Sequence, residues 1–229
     1  MEDLKIAGYG KANGGNYNDI VINGYGEITD NVFCKQLTGT GTAKIKGYLV
    51  TEKVKYTGEA LIDNHLNAKD IDMTGRLDVK GDLKSPIINI CGDLSVLNDI
   101  KSKNIKITGS IDVHDDVTCE NISIVGSAYI KSELCAENVE IKSSNVSIFE
   151  IHAEKVIIKK PFTIGFRKKQ VNVVEIECTS IEADLLNCKR LCVDNAKLSK
   201  NCVIDSLEYT GEIVIESGCT INKMVKITE

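Results

Sequence analysis

Residues Asn104–Asn121 read NIKITGSIDVHDDVTCEN and contain one complete structural repeat. Its apolar positions are Ile105, Ile107, Ile111, Val113, Val117 and Cys119, with Gly109 between the first two pairs. The next stretch, NISIVGSAYIKSELCAEN, places Ile122, Ile124, Ala128, Ile130, Leu134 and Ala136 at the same offsets around Gly126. The shift is seventeen residues. Stepping outward by that interval from Gly24 gives Gly41, Gly58, Gly75, Gly92, Gly109 and Gly126, and the series returns at Gly211 after Ser143, Lys160, Glu177 and Asp194. Four residues before each step lie Ile20, Leu37, Val54, Ile71, Ile88, Ile105, Ile122, Val139, Val156 and Val173, then Arg190 and Leu207. A fixed period of this length is the signature of a stacked repeat architecture.

Within a repeat the apolar slots come in pairs two residues apart, which is the period of a strand showing one face inward. Three such pairs separated by corners close one coil. The reading is therefore an all-β fold: a triangular, single-stranded parallel β-helix of 17-residue coils, about 12 in number at a rise of roughly 4.7–4.9 Å each. The corners agree. Glycine at the first corner supplies a φ > 0 conformation. The second corner holds Asp30, Gly47, Asn64, Gly81, Asn98 and Asp115, and the third holds Asn104, Asn121 and Asn138, residues suited to turns. Pro86 and Pro161 also fall at corners, where no ladder donor is lost.

The organisation expected is a variant N-terminal coil over residues 1–19 followed by one continuous β-helix over 20–229. In the variant coil Leu4, Ile6 and Gly8 mimic Ile20, Ile22 and Gly24 one residue closer than the period. Coils around 143–193 are irregular. Lys168 and Gln170 occupy inward slots there, and Val174, Ile176, Leu191 and Val193 fall outward in a strict register. A slip that turns Leu191 and Val193 inward also expels Arg190. Val146, Ile148 and Phe149 are expected to face outward, as an apolar patch for lateral contact, with a locally bulged core as the equal alternative.

Bulk composition narrows the function. The chain has 229 residues, 42% hydrophobic but only 5% aromatic, and a net charge of −5. An acidic balance argues against a nucleic-acid partner. Nine cysteines, an odd number, with no leader-like start point to a reduced, cytoplasmic protein. Most of these cysteines are expected to be structural: Cys34 and Cys119 share one inward column, Cys202 and Cys219 another, and Cys192 is inward in a strict register. His65, His114 and His152 sit at three different offsets and are read as surface residues. With no convergent triad and no metal-ligand spacing, neither catalysis nor a cofactor or metal is expected.

Some features invite a ligand. Asp82, Asp99, Asp116, Glu133 and Glu150 follow one another at a corner and could gather divalent cations, though a solvated corner explains them better. Thr40, Thr57, Thr74 and Thr108 form a partial ladder that local turn chemistry accounts for. Lys159, Lys160, Arg167, Lys168 and Lys169, with Phe162 and Phe166 among them, are candidates for contact with an anionic membrane surface. Leu4 and Ile6 at one end, and Val225 and Ile227 at the other, are candidates for self-association through open strand edges.

Coils of the form NIKITGSIDV, DIDMTGRLDVKGDL and NISIVGSAYIKSELCAENV resemble those of the bactofilins, bacterial polymer-forming cytoskeletal proteins. The likeness covers residues 20–158 well and the rest loosely. It implies a right-handed triangular β-helix that assembles end to end without nucleotide. The chain departs from the resemblance in its length and in having no flexible polar tails. The expected partner is a second copy, with a membrane surface or another cytoskeletal protein beside it. A binding module presenting a flat sheet face to a protein, membrane or polysaccharide is the alternative.

Overall fold

Branched apolar residues alternating with polar ones produce extended chain almost throughout. A computed structural model describes residues 1–161 and 170–228, apart from the side chain of Ser144. Among these, every regular element is a strand. The chain divides into two compact units, Met1–Asp115 and Asp116–Glu229.

The first unit contains β1 (Glu2–Ala12), β2 (Gly15–Ile28), β3 (Val32–Ile45), β4 (Leu49–Ile62), β5 (Leu66–Asn67), β6 (Asp70–Val79), β7 (Leu83–Val96) and β8 (Ile100–Val113). Each pairs in parallel with the strand one coil away, so the unit is a parallel β-solenoid. The register is the seventeen-residue period itself: Ile20, Leu37, Val54, Ile71, Ile88 and Ile105 are successive partners. The variant first coil also matches expectation, with Leu4 opposite Ile20, Ile6 opposite Ile22 and Gly8 opposite Gly24. Ile20, Leu37, Ile71 and Ile88 are wholly buried. Each such side chain contributes about 1.5–3 kcal/mol on leaving water.

Glycine at the first corner answers two demands. Gly58 has φ +120°, and a Cβ there would overlap the carbonyl oxygen of Gly41 one coil away. Successive coils thus approach too closely at this corner for any side chain. At the second corner asparagine side chains cap the turn: Asn31 Oδ1 accepts from the Tyr48 amide at 3.1 Å, and Asn64 Oδ1 from the His65 amide at 2.9 Å. At the third corner the inward slot takes small polar residues whose hydroxyls donate to nearby carbonyls. Thr51 reaches Lys35 O at 3.1 Å, and Ser85 reaches Ile87 O at 2.8 Å. The pairing of β7 with β8 skips Pro86, so the missing N–H costs the ladder nothing.

The second unit contains β9 (Val117–Lys159), β10 (Val171–Ala183), β11 (Leu186–Leu198), β12 (Val203–Tyr209), β13 (Ile213–Ile215) and β14 (Thr220–Lys226). It too is a parallel solenoid, but its coil length varies. Within β9 the period of seventeen persists, as in the Asn138–Asn121 and Ser123–Glu140 hydrogen bonds. Val171 then pairs with Val146, and Leu186 with Val171 only fifteen residues on. Later partners are sixteen apart at Cys188 and Ile204 and seventeen apart at Val203 and Thr220. In the fifteen-residue coil every corner is one residue tighter or equal, so inward pairs recur every five residues: Val171 and Val173, Ile176 and Cys178, Ile181 and Ala183.

This contraction settles the side-chain directions. Leu191 and Val193 are inward and Arg190 is exposed, as the slip requires; Ile176 is inward as well. Cys192, inward in a strict register, lies outward and half-buried. Gln170 is half-buried, whereas Lys168 lies outside the described residues. Two expected outward residues are corrected: Val146 is 2% exposed and Ile148 1%, leaving Phe149 alone outward at 52%. The cause is the corner at Ser143, which replaces glycine. Ser143 is buried and its Oγ accepts from the Asn145 amide at 3.0 Å. That turn adds one residue before Val146, and a one-residue shift exchanges the two faces of a strand.

Candidate self-association edges and charged faces

In a solenoid the inward column is covered by the next coil everywhere except at an edge. In the second unit β14 pairs with β12 and ends the strand order, while β13 pairs with β11. Ile221 lies opposite Ile204, Met224 opposite Leu207, and Ile215 opposite Leu198. Their partners are fully buried, yet Met224 is 52% exposed and Ile215 41%. These side chains hold core positions with nothing stacked on them. Val225 continues the outward position of Glu208 instead. It is exposed, as is Ile227, whose amide donates to Tyr209 O at 2.8 Å. Both candidates therefore sit at the edge, but the core-column residues there are Met224 and Ile215. The seventeen-residue step from Leu207 reaches Met224, so that residue was legible from the period.

The edge formed by β1 differs. Ile6 is buried and Leu4 half-buried, although β1 begins the strand order with β2 beside it. Ile6 lies against Gly10 on its own strand, where any Cβ would meet the Ile6 side chain at 2.9 Å. Asp3 and Lys5 alternate with the column and are exposed, as is Glu2.

Outward aromatics gather on the first coils of the first unit. The Tyr9 and Tyr25 rings stack at 5.1 Å and 7°. Phe33 meets Tyr48 edge-on at 5.3 Å, and Tyr48 stacks on His65 at 6.0 Å. Beside the tyrosine pair, the buried Glu27 carboxylate takes Lys11 at 3.1 Å, Lys46 at 3.2 Å and the Tyr25 hydroxyl at 3.2 Å. Hydrogen bonds from the two lysines hold its pKa below the ordinary carboxylate value.

One charged face of the second unit carries two outward columns. Glu150, Glu175, Arg190 and Ser206 form one, and His152, Glu177, Cys192 and Glu208 the other. Arg190 bridges Glu175 at 2.5 Å and Glu208 at 3.2 Å, tying three coils together. His152 lies 2.7 Å from Glu150 and 3.7 Å from Glu177. Partial burial opposes its charging, but the hydrogen bond to Glu150 and the fields of Glu150, Glu133 and Glu177 outweigh it and raise the pKa above 6.5. A raised histidine pKa stabilises the fold below the unfolded value, and that contribution is lost as pH rises through the folded value. His152→Gln is therefore expected to lower the urea midpoint at pH 6, by an amount worth at most about 1 kcal/mol, and to leave it nearly unchanged at pH 9. Equal loss at both pH values would assign the residue a packing role.

The other candidates are dispersed. His65 and His114 are exposed. Asp82 accepts from Asn98, and Asp116 from the Glu133 amide, so these corner carboxylates serve the turns. Among the described residues no group of three or more His, Cys, Asp or Glu is arranged to hold a metal ion. Burial pushes the thiols of Cys119, Cys178, Cys188 and Cys202 up to about 12, which makes them poor nucleophiles. Lys159 and Lys160 are exposed, whereas Phe162, Phe166, Arg167, Lys168 and Lys169 lie outside the described residues. Among the described residues no helix is long and apolar enough to cross a membrane. Set against protein-family models, curated proteins and solved structures, the chain matches none.

Proposed function

We propose that this protein is a structural, self-associating scaffold of the bactofilin kind, which assembles without nucleotide by stacking open solenoid edges. The observation that supports the reading is the exposure of core-column residues Met224 and Ile215 on edge strands β14 and β13. An open strand edge bearing apolar side chains is a template for another strand. A second copy offers one of matching pitch. Contact between unlike edges is heterologous and extends; contact between like edges is isologous and stops at two. The work proposed is mechanical, in the cytoplasm, with no catalytic step. Sedimentation and electron microscopy across concentration, without nucleotide, are expected to reveal dimers or filaments. Met224→Asp is expected to raise the concentration needed for assembly at least tenfold. A strict monomer at high concentration would overturn the reading.

A second reading, a binding module, is favoured by the outward Tyr9–Tyr25 stack and the Phe33–Tyr48–His65 cluster. Flat aromatic faces flanked by hydrogen-bonding groups suit a polysaccharide or a protein loop. Captured partners on a protein that stays monomeric would favour it. For an anionic membrane surface, vesicle flotation with Lys159 and Lys160 reversed in charge is the test; unchanged flotation would remove those two lysines from the contact.

A further inference from the structure

We propose that Cys202 and Cys219 are a thiol pair that closes into a disulfide, stapling the last coil of the second unit to the coil before it. The strand register carries the argument. Val203 pairs with Thr220 and Ile204 with Ile221, and the Thr220 amide donates to Cys202 O at 2.9 Å. The two cysteines therefore occupy equivalent positions in consecutive coils. Adjacent strands lie about 4.7–4.9 Å apart, inside the Cα separation of roughly 4.4–6.8 Å that a disulfide spans. Their sulfurs point the same way. Cys202 Sγ donates to Ala183 O at 3.4 Å, and Cys219 Sγ lies 3.5 Å from Leu198 O and 2.7 Å from Ser199 O. Ala183 and Leu198 are themselves register partners, so the thiols sit over matching carbonyls one coil apart.

Five other cysteines have different neighbours. Cys34 is opposite Thr51, Cys91 opposite Thr74 and Thr108, Cys178 opposite Ala153 and Val193, Cys188 opposite Val173 and Ile204, and Cys192 opposite Glu177 and Glu208. The pair also differs internally in access. Cys202 is fully buried and Cys219 half-buried. Cys219 is thus the thiol that meets a reagent, and Cys202 the one that resolves it.

The oxidant is a low-molecular-weight disulfide. The Cys219 thiolate attacks one of its sulfurs, forming a mixed disulfide and releasing one small thiolate. Cys202 then gives up its proton, and its sulfur attacks Cys219 Sγ and displaces the second small thiolate. Two protein thiols and one external disulfide become one protein disulfide and two external thiols. Burial pushes the Cys202 thiol up to about 12, so the second displacement is the slow one. The closed loop encloses β12 and β13 and pins the coil that displays Ile215 and Met224. Closure takes place within one chain, so it stands or falls apart from self-association.

The test is disulfide mapping of the full-length protein after incubation with oxidised glutathione. Alkylatable thiols are expected to fall by two, with one cross-linked peptide pair joining Cys202 to Cys219 and its reversal by dithiothreitol. Cys202→Ser is expected to trap a glutathione adduct on Cys219 and give no cross-link. A wild-type protein that keeps the adduct on Cys219, links Cys219 to another cysteine, or leaves both thiols alkylatable would overturn the proposal.

Discussion

Gly58→Ala is expected to lower unfolding stability by about 3–5 kcal/mol, read as a shift of the urea midpoint. Two costs combine. Gly58 sits at φ +120°, a conformation that costs an L-residue roughly 1–2 kcal/mol. The added methyl would also overlap Gly41 O, which is backbone held by the ladder on both sides of the corner. Relief requires the coils to part, and parting breaks ladder bonds and opens the column beneath. Gly218→Ala separates the two terms. Its φ is +97°, yet a Cβ there meets nothing within 4 Å. That variant is expected to lose only about 1–2 kcal/mol. Equal losses at the two sites would show that backbone conformation, not coil spacing, sets the requirement for glycine.

Tyr56→Ala is expected to cost a further 3–5 kcal/mol or so. Tyr56 is 2% exposed and is the one aromatic side chain among the described buried residues. Its place follows from Gly39, which lies opposite it one coil earlier in a slot filled elsewhere by Ile22, Met73 or Ile90. The ring occupies the space that Gly39 leaves, and its hydroxyl donates to Ile22 O at 3.2 Å, two coils away. Small residues Ala43 and Ala60 in the next inward column leave room for the ring. Truncation empties that volume, whereas Tyr56→Phe removes only the hydroxyl and is expected to cost about 1–3 kcal/mol by leaving a buried carbonyl without that donor. A Gly39→Ala variant would not rescue Tyr56→Ala, because a Cβ at Gly39 overlaps Ile22 O. Urea unfolding of the three single variants and the double variant checks this. Rescue by the double variant would mean that the slot, not the ring, was the constraint.

The seventeen-residue period determined the strands, the corners and the inward columns of the first unit, because each coil repeats one local pattern and the pattern names its own partners. It also carried the exposed edge residue Met224, one period beyond Leu207. The slip at Leu191 and Val193 was legible as well, because it expels Arg190 from the core. Tertiary structure alone decided the turn at Ser143, which moved Val146 and Ile148 into the core, since a shift of one residue reverses the face a strand presents. It also decided how Tyr56 answers Gly39, and how Lys11 and Lys46 meet at Glu27. Such contacts join residues one or two coils apart in directions that no periodicity encodes, because the period fixes which side a residue faces and leaves the reach of its side chain to the packing around it.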